Sequence, residues 1–528
     1  MTEVSATPPM GTVRSWLDLR ADLDGDSVSH LFPSAAPLTW SALRDQAAEI
    51  AARLSGMGLS KGDSVALMLP NGPQGVLSLF GVLYGGFRAA VINLVAGTEA
   101  IGYALSHSDA LVVLVGEAQL DLLLAAKGAH DVAARKVVVG HDIRWPEGTP
   151  TAPLDELHSD DQALLMYTSG TTGRPKGVLH SHASLLAGGW TTALAHELTD
   201  RDRALCVLPI YHINGLCVTI MAPLVAGGSV VVCDRFSASR FWTTCADHEI
   251  TWFSVVPTII SHLLHGDADP DAATKARIRF GRSASSALAV ETQSAFETRF
   301  GIPIVETMGL TETAAQILSN PMPPGSRKIG SPGKAYGNEV AILSPDLVPL
   351  PPETEGEIAV RGPNVMLGYY KNAEVTKEAL TEDGWLRTGD LGRMDADGYV
   401  FVTGRLKELI IKGGENIAPR EVDEALYSHP DVVEAAAFAR PCKIYGERVE
   451  AAVKLRDGAT VSRGDLILLC EQKVGKFKCP DMVHVMGELP KGPSGKIQRL
   501  RLAELTTQPE RHEPKHKKNQ NTVEATRD

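Results

Sequence analysis

The apolar positions of this chain fall into two alternating rhythms. Over residues 38–58, Leu43, Ala47, Ile50, Ala51 and Leu54 recur at helical spacing behind Thr39, a residue suited to an N-cap, so a helix is predicted there. Residues 64–69 (SVALML) instead form a short unbroken apolar run, as expected of a strand buried on both faces of a parallel sheet. A second helical segment follows, then a run at 89–94, a helix around Ala100 and a run at 110–115. The alternation continues through strand-like runs at 204–208, 229–233 and 251–256, a helix from Pro257, and two more runs at 278–283 and 302–306. Strand and helix in turn predict an α/β fold with parallel sheets. The apolar stretch 75–87 is stopped by Arg88 and preceded by Pro70 and Pro73, so it predicts a buried core helix rather than a bilayer span.

The texture changes after about Lys334. Short runs at 340–343, 356–361 and 398–403, separated by Gly, Pro and Asp, predict a smaller β-rich subdomain. A helix at 419–428 with strands at 434–440 and 450–454 then reads as a compact α+β unit. The polar, aperiodic stretch 506–528 reads as a disordered tail.

Composition narrows the classes. With 44% hydrophobic and 22% charged residues, the chain is an ordinary globular protein and not a fibrous or wholly disordered one. The net charge of −12 argues against nucleic-acid or anionic-membrane partners. The cysteines are seven, an odd number with no C-x-x-C pair, so neither a zinc ribbon nor a disulfide framework is indicated and reduced thiols in a cytoplasmic protein are expected. Residues 1–11 lack a basic region followed by an apolar core, so no signal peptide is expected.

The segment richest in chemistry is 167–178, YTSGTTGRPKGV. Gly170, Gly173 and Gly177 allow close backbone approach, Thr168, Ser169, Thr171 and Thr172 add hydroxyls, and Lys176 adds an ammonium. Such a loop can cradle a polyphosphate. It is not a Walker A loop, because Pro175 and Gly177 stand where that motif has its second Gly and its Ser/Thr.

This loop resembles the signature of the adenylate-forming (ANL) superfamily, which includes acyl-CoA synthetases, peptide-synthetase adenylation domains and firefly-type luciferases. Further segments match that family in order: LPIYH at 208–212, SASSAL at 283–288, ETMGLTE at 306–312, WLRTGDL at 385–391, GRLKELIIKGGENIA at 404–418 and LPKGPSGKIQR at 489–499. The resemblance implies a large N-terminal α/β domain, 1–404, and a small mobile α+β domain, 405–505. It also implies a two-step reaction with ATP, Mg²⁺ and coenzyme A, through an acyl-adenylate. By the same resemblance, residues 168–176 hold the β- and γ-phosphates, Thr311 meets the α-phosphate and Glu312 ligates Mg²⁺. Ala284, Ser285, Ser286, Glu306, Thr307 and Met308 flank the nucleotide, while Asp390 and Arg405 take the ribose. Lys496 bridges the substrate carboxylate and the α-phosphate, Lys407 is the hinge, and Lys412, Gly413 and Gly414 line the thiol tunnel after the small domain rotates.

The acid pocket is expected from His212, Asn214, Trp252, Val256, Arg282, Ser283, Met308 and Gly309. Arg282 and His212 could supply positive charge or donors. The stretches RFSA at 235–238, VVPT at 255–258 and RSASSALA at 282–289 resemble the oxalate–CoA ligase branch. That branch usually has a second His at Asn214 and an aromatic–Ala pair at Met308–Gly309. The implied substrate is a small anionic acid that is oxalate-, malonate- or sulfoacetate-like, and the protein is expected as a monomer or homodimer. Alternatives are a medium-chain or aromatic acyl-CoA synthetase, or an adenylation enzyme loading a carrier protein.

Overall fold

The computed structural model describes residues 4–168, 175–491 and 497–506. Two large sheets dominate. The first runs in the order Lys334–Ala335, Ala315–Ser319, Ile304–Leu310, Phe280–Ser283, Trp252–Val255, Arg203–Cys206, Ser229–Val232, Val28–Phe32, Ala35–Thr39. The second runs Gly368–Tyr369, Lys176–Ser181, Gln162–Thr168, Arg88–Val91, Ser64–Met68, Ala110–Gly116, Arg135–Val139, Ile143–Arg144. Both are parallel at the centre and antiparallel at the edges.

A helical layer separates the sheets. The helices Trp40–Gly56, Pro73–Gly85 and His182–Ala195, with the π-helix Asn214–Met221, share one core with the facing side chains of both sheets. Further helices cover the outer faces, so Val65 and Leu67 join the central core while Ala66 and Met68 join an outer one. Burial on both faces is why the strand sequence is uninterruptedly apolar. Thr39 caps its helix by accepting from the Ala42 amide, although Leu38 and Thr39 themselves end a strand that the helical spacing does not reveal. The 75–87 stretch is the inner helix Pro73–Gly85. Among the described residues, no helix is long and apolar enough to cross a membrane.

The β-rich part is a four-stranded antiparallel sheet, Glu339–Leu343, Gly356–Arg361, Leu386–Met394 and Val400–Arg405. Shortly after Arg405 the chain enters another sheet. Ile410–Lys412, Glu415–Ile417, Val432–Cys442 and Gly446–Leu455 pair antiparallel, and Met482–Val485 pairs parallel to Gly446–Leu455. The helices Pro419–Tyr427 and Arg463–Lys478 complete this unit around its own core.

Candidate active site

The parallel strands Arg203–Cys206, Trp252–Val255, Phe280–Ser283 and Ile304–Leu310 open at their carboxyl ends onto a cleft, the usual ligand position in open α/β sheets. The cleft has two parts that share Ser285, Gly309, Leu310 and Arg405. The first, of about 270 Å³, is lined by Val256, Ser285, Ser286, Glu306, Thr307, Met308 and Asp390, and the small unit contributes Arg420, Ile497 and Arg499. The second is lined by Thr168, His212, Asn214, Thr311 and Glu312, with Gln498 from the small unit.

Asp390 and Arg405 are direct partners on adjacent antiparallel strands, and Arg405 Nε donates to Asp390 Oδ1 at 2.5 Å. Burial opposes the charge on Arg405, but Asp390 outweighs it and holds the guanidinium above its ordinary range. Glu306 is buried with one oxygen accepting from the Leu288 amide at 3.1 Å, and burial pushes its carboxyl up. Gly309 is required here, since a Cβ would sit 1.7 Å from the Ala315 carbonyl.

Glu312 presents a carboxylate to the cleft, and Tyr369 Oη donates to its Oε1 at 2.9 Å. Burial first, and then the Glu312 charge, push the Tyr369 phenol up, which keeps it a donor. The ring of Tyr369 lies under Lys176, with Nζ 4.8 Å from its centroid. A single hard oxygen donor suits magnesium, which is commonly held by one or two carboxylates and the phosphates of its nucleotide. The Thr311 carbonyl accepts from His180 Nε2 at 2.7 Å. His180 is fully buried, and burial pushes it down to about 4, so it is neutral with its proton on Nε2.

The fold relocates several residues that the sequence assigned to the pocket. Arg282 does not line the cleft. Inward-facing Trp252 and Phe280 set the alternation, so Ser254 and Arg282, register partners two residues on, also point into the central layer. There Arg282 Nη1 donates to Asn214 Oδ1 at 3.0 Å and to Ser254 Oγ at 3.1 Å, and Nε lies 3.4 Å from Gln316 Oε1. No carboxylate pairs with it among the described residues. Burial pushes this guanidinium down to about 9, so it is still charged at neutral pH. Because two donors, Arg282 and Ser254, fix Asn214 Oδ1, the Asn214 amide nitrogen is turned outward and donates to Ser285 Oγ at 3.3 Å.

Trp252 is core, stacked on Phe280 at 5.6 Å, and Ser283 is fully buried. Neither lines the pocket, because strand alternation turns them into the two packed faces. Ala284 is buried beside the cleft, its amide donating to the Val255 carbonyl. Lys412 is turned into the small unit, where Nζ donates to the Phe477 carbonyl at 3.0 Å. Gly413 and Gly414 form the positive-φ turn between Ile410–Lys412 and Glu415–Ile417, away from the cleft in this arrangement. Lys407 lies in an exposed turn between the four- and five-stranded sheets. Ser169, Gly170, Thr171, Thr172, Gly173 and Lys496, and the tail beyond Thr506, lie outside the described residues. Sequence reasoning missed Tyr369, His180, Arg420 and Gln498. Tyr369 sits in a two-residue strand without periodicity, so only tertiary contact reveals it.

A family described as AMP-binding enzyme matches residues 20–370, and its C-terminal domain matches residues 421–496. The chain is 47% identical over 477 residues to a sulfoacetate–CoA ligase of Cupriavidus necator, covering 89% of this chain and 92% of that protein. It is 37% identical to an oxalate–CoA ligase of Arabidopsis thaliana, covering 88% and 93%. Among solved structures, ATP-bound MatB from Rhodopseudomonas palustris superposes with a TM-score of 0.86 at 28% identity, over 94% of this chain and 99% of that one.

Proposed function

Because the chain belongs to the AMP-binding enzyme family, we propose that it is an AMP-forming acid–CoA ligase for a small acid bearing a second negative group. In this reading the acid's carboxylate attacks the α-phosphorus of ATP and expels pyrophosphate. The thiol sulfur of CoA then attacks the acyl carbon, loses its proton and expels AMP. Charge moves in both steps, so positioned cations and donors matter more than a protein nucleophile.

Asp390 and Arg405 would hold the ribose, and Ser285, Ser286, Glu306, Thr307 and Met308 would flank the base. Thr311 would meet the α-phosphate, with Lys176 on the outer phosphates. Lys496 would bridge carboxylate and α-phosphate, and Ile497 and Gln498, which follow it, already line the cleft. His212 and Asn214 would face the acid. We assign residues 1–404 and 405–505 to two domains that turn about Lys407, which would bring Lys412, Gly413 and Gly414 to the cleft for thioester formation. We read the protein as a cytoplasmic monomer or homodimer, and its unpaired, mostly buried cysteines fit the reducing compartment.

The observation that carries the substrate class is Arg282, a fully buried guanidinium whose partners are all neutral. An unpaired buried charge costs several kcal/mol, only part of which neutral hydrogen bonds offset. An anion at Asn214 would supply the missing counter-charge. The sulfoacetate and oxalate ligases, whose named acids both carry two acidic groups, support the same reading. The test is CoA-dependent AMP release with sulfoacetate, oxalate, malonate, acetate, a medium-chain acid and an aromatic acid. The doubly acidic compounds should lead in kcat/KM by at least about tenfold, the scale of one charge-assisted hydrogen bond. Equal turnover of acetate would sink the assignment.

A further inference from the structure

A five-residue segment far from both motifs in sequence ties the phosphate loop to the metal carboxylate. The Met366 amide donates to the Glu312 carbonyl at 2.8 Å. Next to it, the Leu367 amide donates to the Leu179 carbonyl at 2.8 Å and the Tyr370 amide to the Gly177 carbonyl at 2.7 Å. Gly368 and Tyr369 pair antiparallel with Leu179 and Val178, on the strand that begins at Lys176. The backbone thus fixes both the Glu312 turn and the exit of the phosphate loop. From its midst Tyr369 reaches both functional side chains, Oη to Glu312 Oε1 at 2.9 Å and ring to Lys176 Nζ at 4.8 Å.

We propose that Tyr369 is a positioning residue for magnesium-bound ATP: its hydroxyl holds one oxygen of Glu312 so that the other faces the metal, and its ring holds the Lys176 ammonium toward the phosphates. A carboxylate with one oxygen committed to a donor keeps a single ligating direction, as outer partners do for metal ligands generally. The ring face attracts the ammonium without competing for its three donors. This rests on Glu312 being the magnesium ligand, as read above.

The test compares wild type, Tyr369→Phe and Glu312→Gln in the full chain. Binding of a non-hydrolysable ATP analogue is measured by calorimetry across a Mg²⁺ titration without acid or CoA, and AMP binding is measured in EDTA. Phe keeps the ring and its packing and removes only the donor. Tyr369→Phe should raise the Mg²⁺ concentration for half-maximal analogue binding about tenfold, and leave AMP binding in EDTA unchanged. A wild-type Mg²⁺ dependence in Tyr369→Phe, with Glu312→Gln shifted, overturns the inference alone. A wild-type dependence in both variants removes Glu312 from the metal and overturns the inference with it. Weakened AMP binding in Tyr369→Phe would mark a merely structural role and also overturn it.

Discussion

The two ends of the cleft handle charge in opposite ways. At the end lined by Asp390 and Glu312, Asp390 lies against Arg405 and Glu312 accepts from Tyr369, so each carboxylate meets a cation or a donor before any ligand arrives. Behind the inner end, outside the cleft itself, Arg282 is surrounded by Asn214, Ser254 and Gln316, all neutral. The first arrangement favours preorganisation, because its charged groups are already held in place by their partners. The second holds a charge in deficit. On the proposed function, nucleotide recognition would rest on balanced pairs, and choice of acid on an imbalance that a suitable substrate corrects.

The deepest cut across both ends is Lys496→Ala. Acid-dependent ATP–pyrophosphate exchange should fall at least about 100-fold, the scale of losing one transition-state charge contact. Circular dichroism should be unchanged, and near-normal exchange would remove this lysine from the first step. Asp390→Ala should raise the KM for ATP about tenfold or more, because it removes ribose acceptors and strands Arg405. An unchanged KM would place the ribose elsewhere.

Arg282→Met should lower kcat/KM for doubly acidic substrates about tenfold while acetate is little affected. Its stability should move the other way from that of Asp390→Ala. Removing a paired partner destabilises, whereas replacing an unpaired buried cation by an apolar chain of similar length is neutral or stabilising. Thermal midpoints of the two variants check the contrast, and an equal drop in both erases it.

The smallest effect is in pH. Folding holds Arg282 at about 9, below its ordinary range. Above that value the unfolded chain binds more protons than the folded one, so stability rises with pH there, and the cost is full below it. The stability difference between Arg282→Met and wild type should be flat below about pH 8 and shrink above about pH 9. A difference that grew with alkalinity would contradict an uncompensated guanidinium.

Much of the fold was legible because period is a local property. The run at 64–69 and the repeat from Leu43 to Leu54 each declare an element through neighbours in sequence. The strand Ala35–Thr39 was hidden, since it is an edge strand with three exposed residues and no apolar alternation. Asp390, Arg405, Glu312 and Ser285 were legible as cleft residues because each lies in a motif whose backbone form is local. Arg282 was misplaced for a reason the sequence did contain, since it stands two residues from Phe280 and therefore on the same inward face.

The sequence alone determined the alternating α/β pattern, the order of the motifs and the residue types that can handle phosphate and carboxylate. These follow from side-chain chemistry and from periods of two and 3.6 residues. Tertiary structure decided which of those residues meet. It set Arg282 behind Asn214, Lys412 away from the cleft and Tyr369 between Lys176 and Glu312. Contacts of that kind join segments tens to hundreds of residues apart, and only the packing of two sheets on a shared helical layer brings them within hydrogen-bond reach.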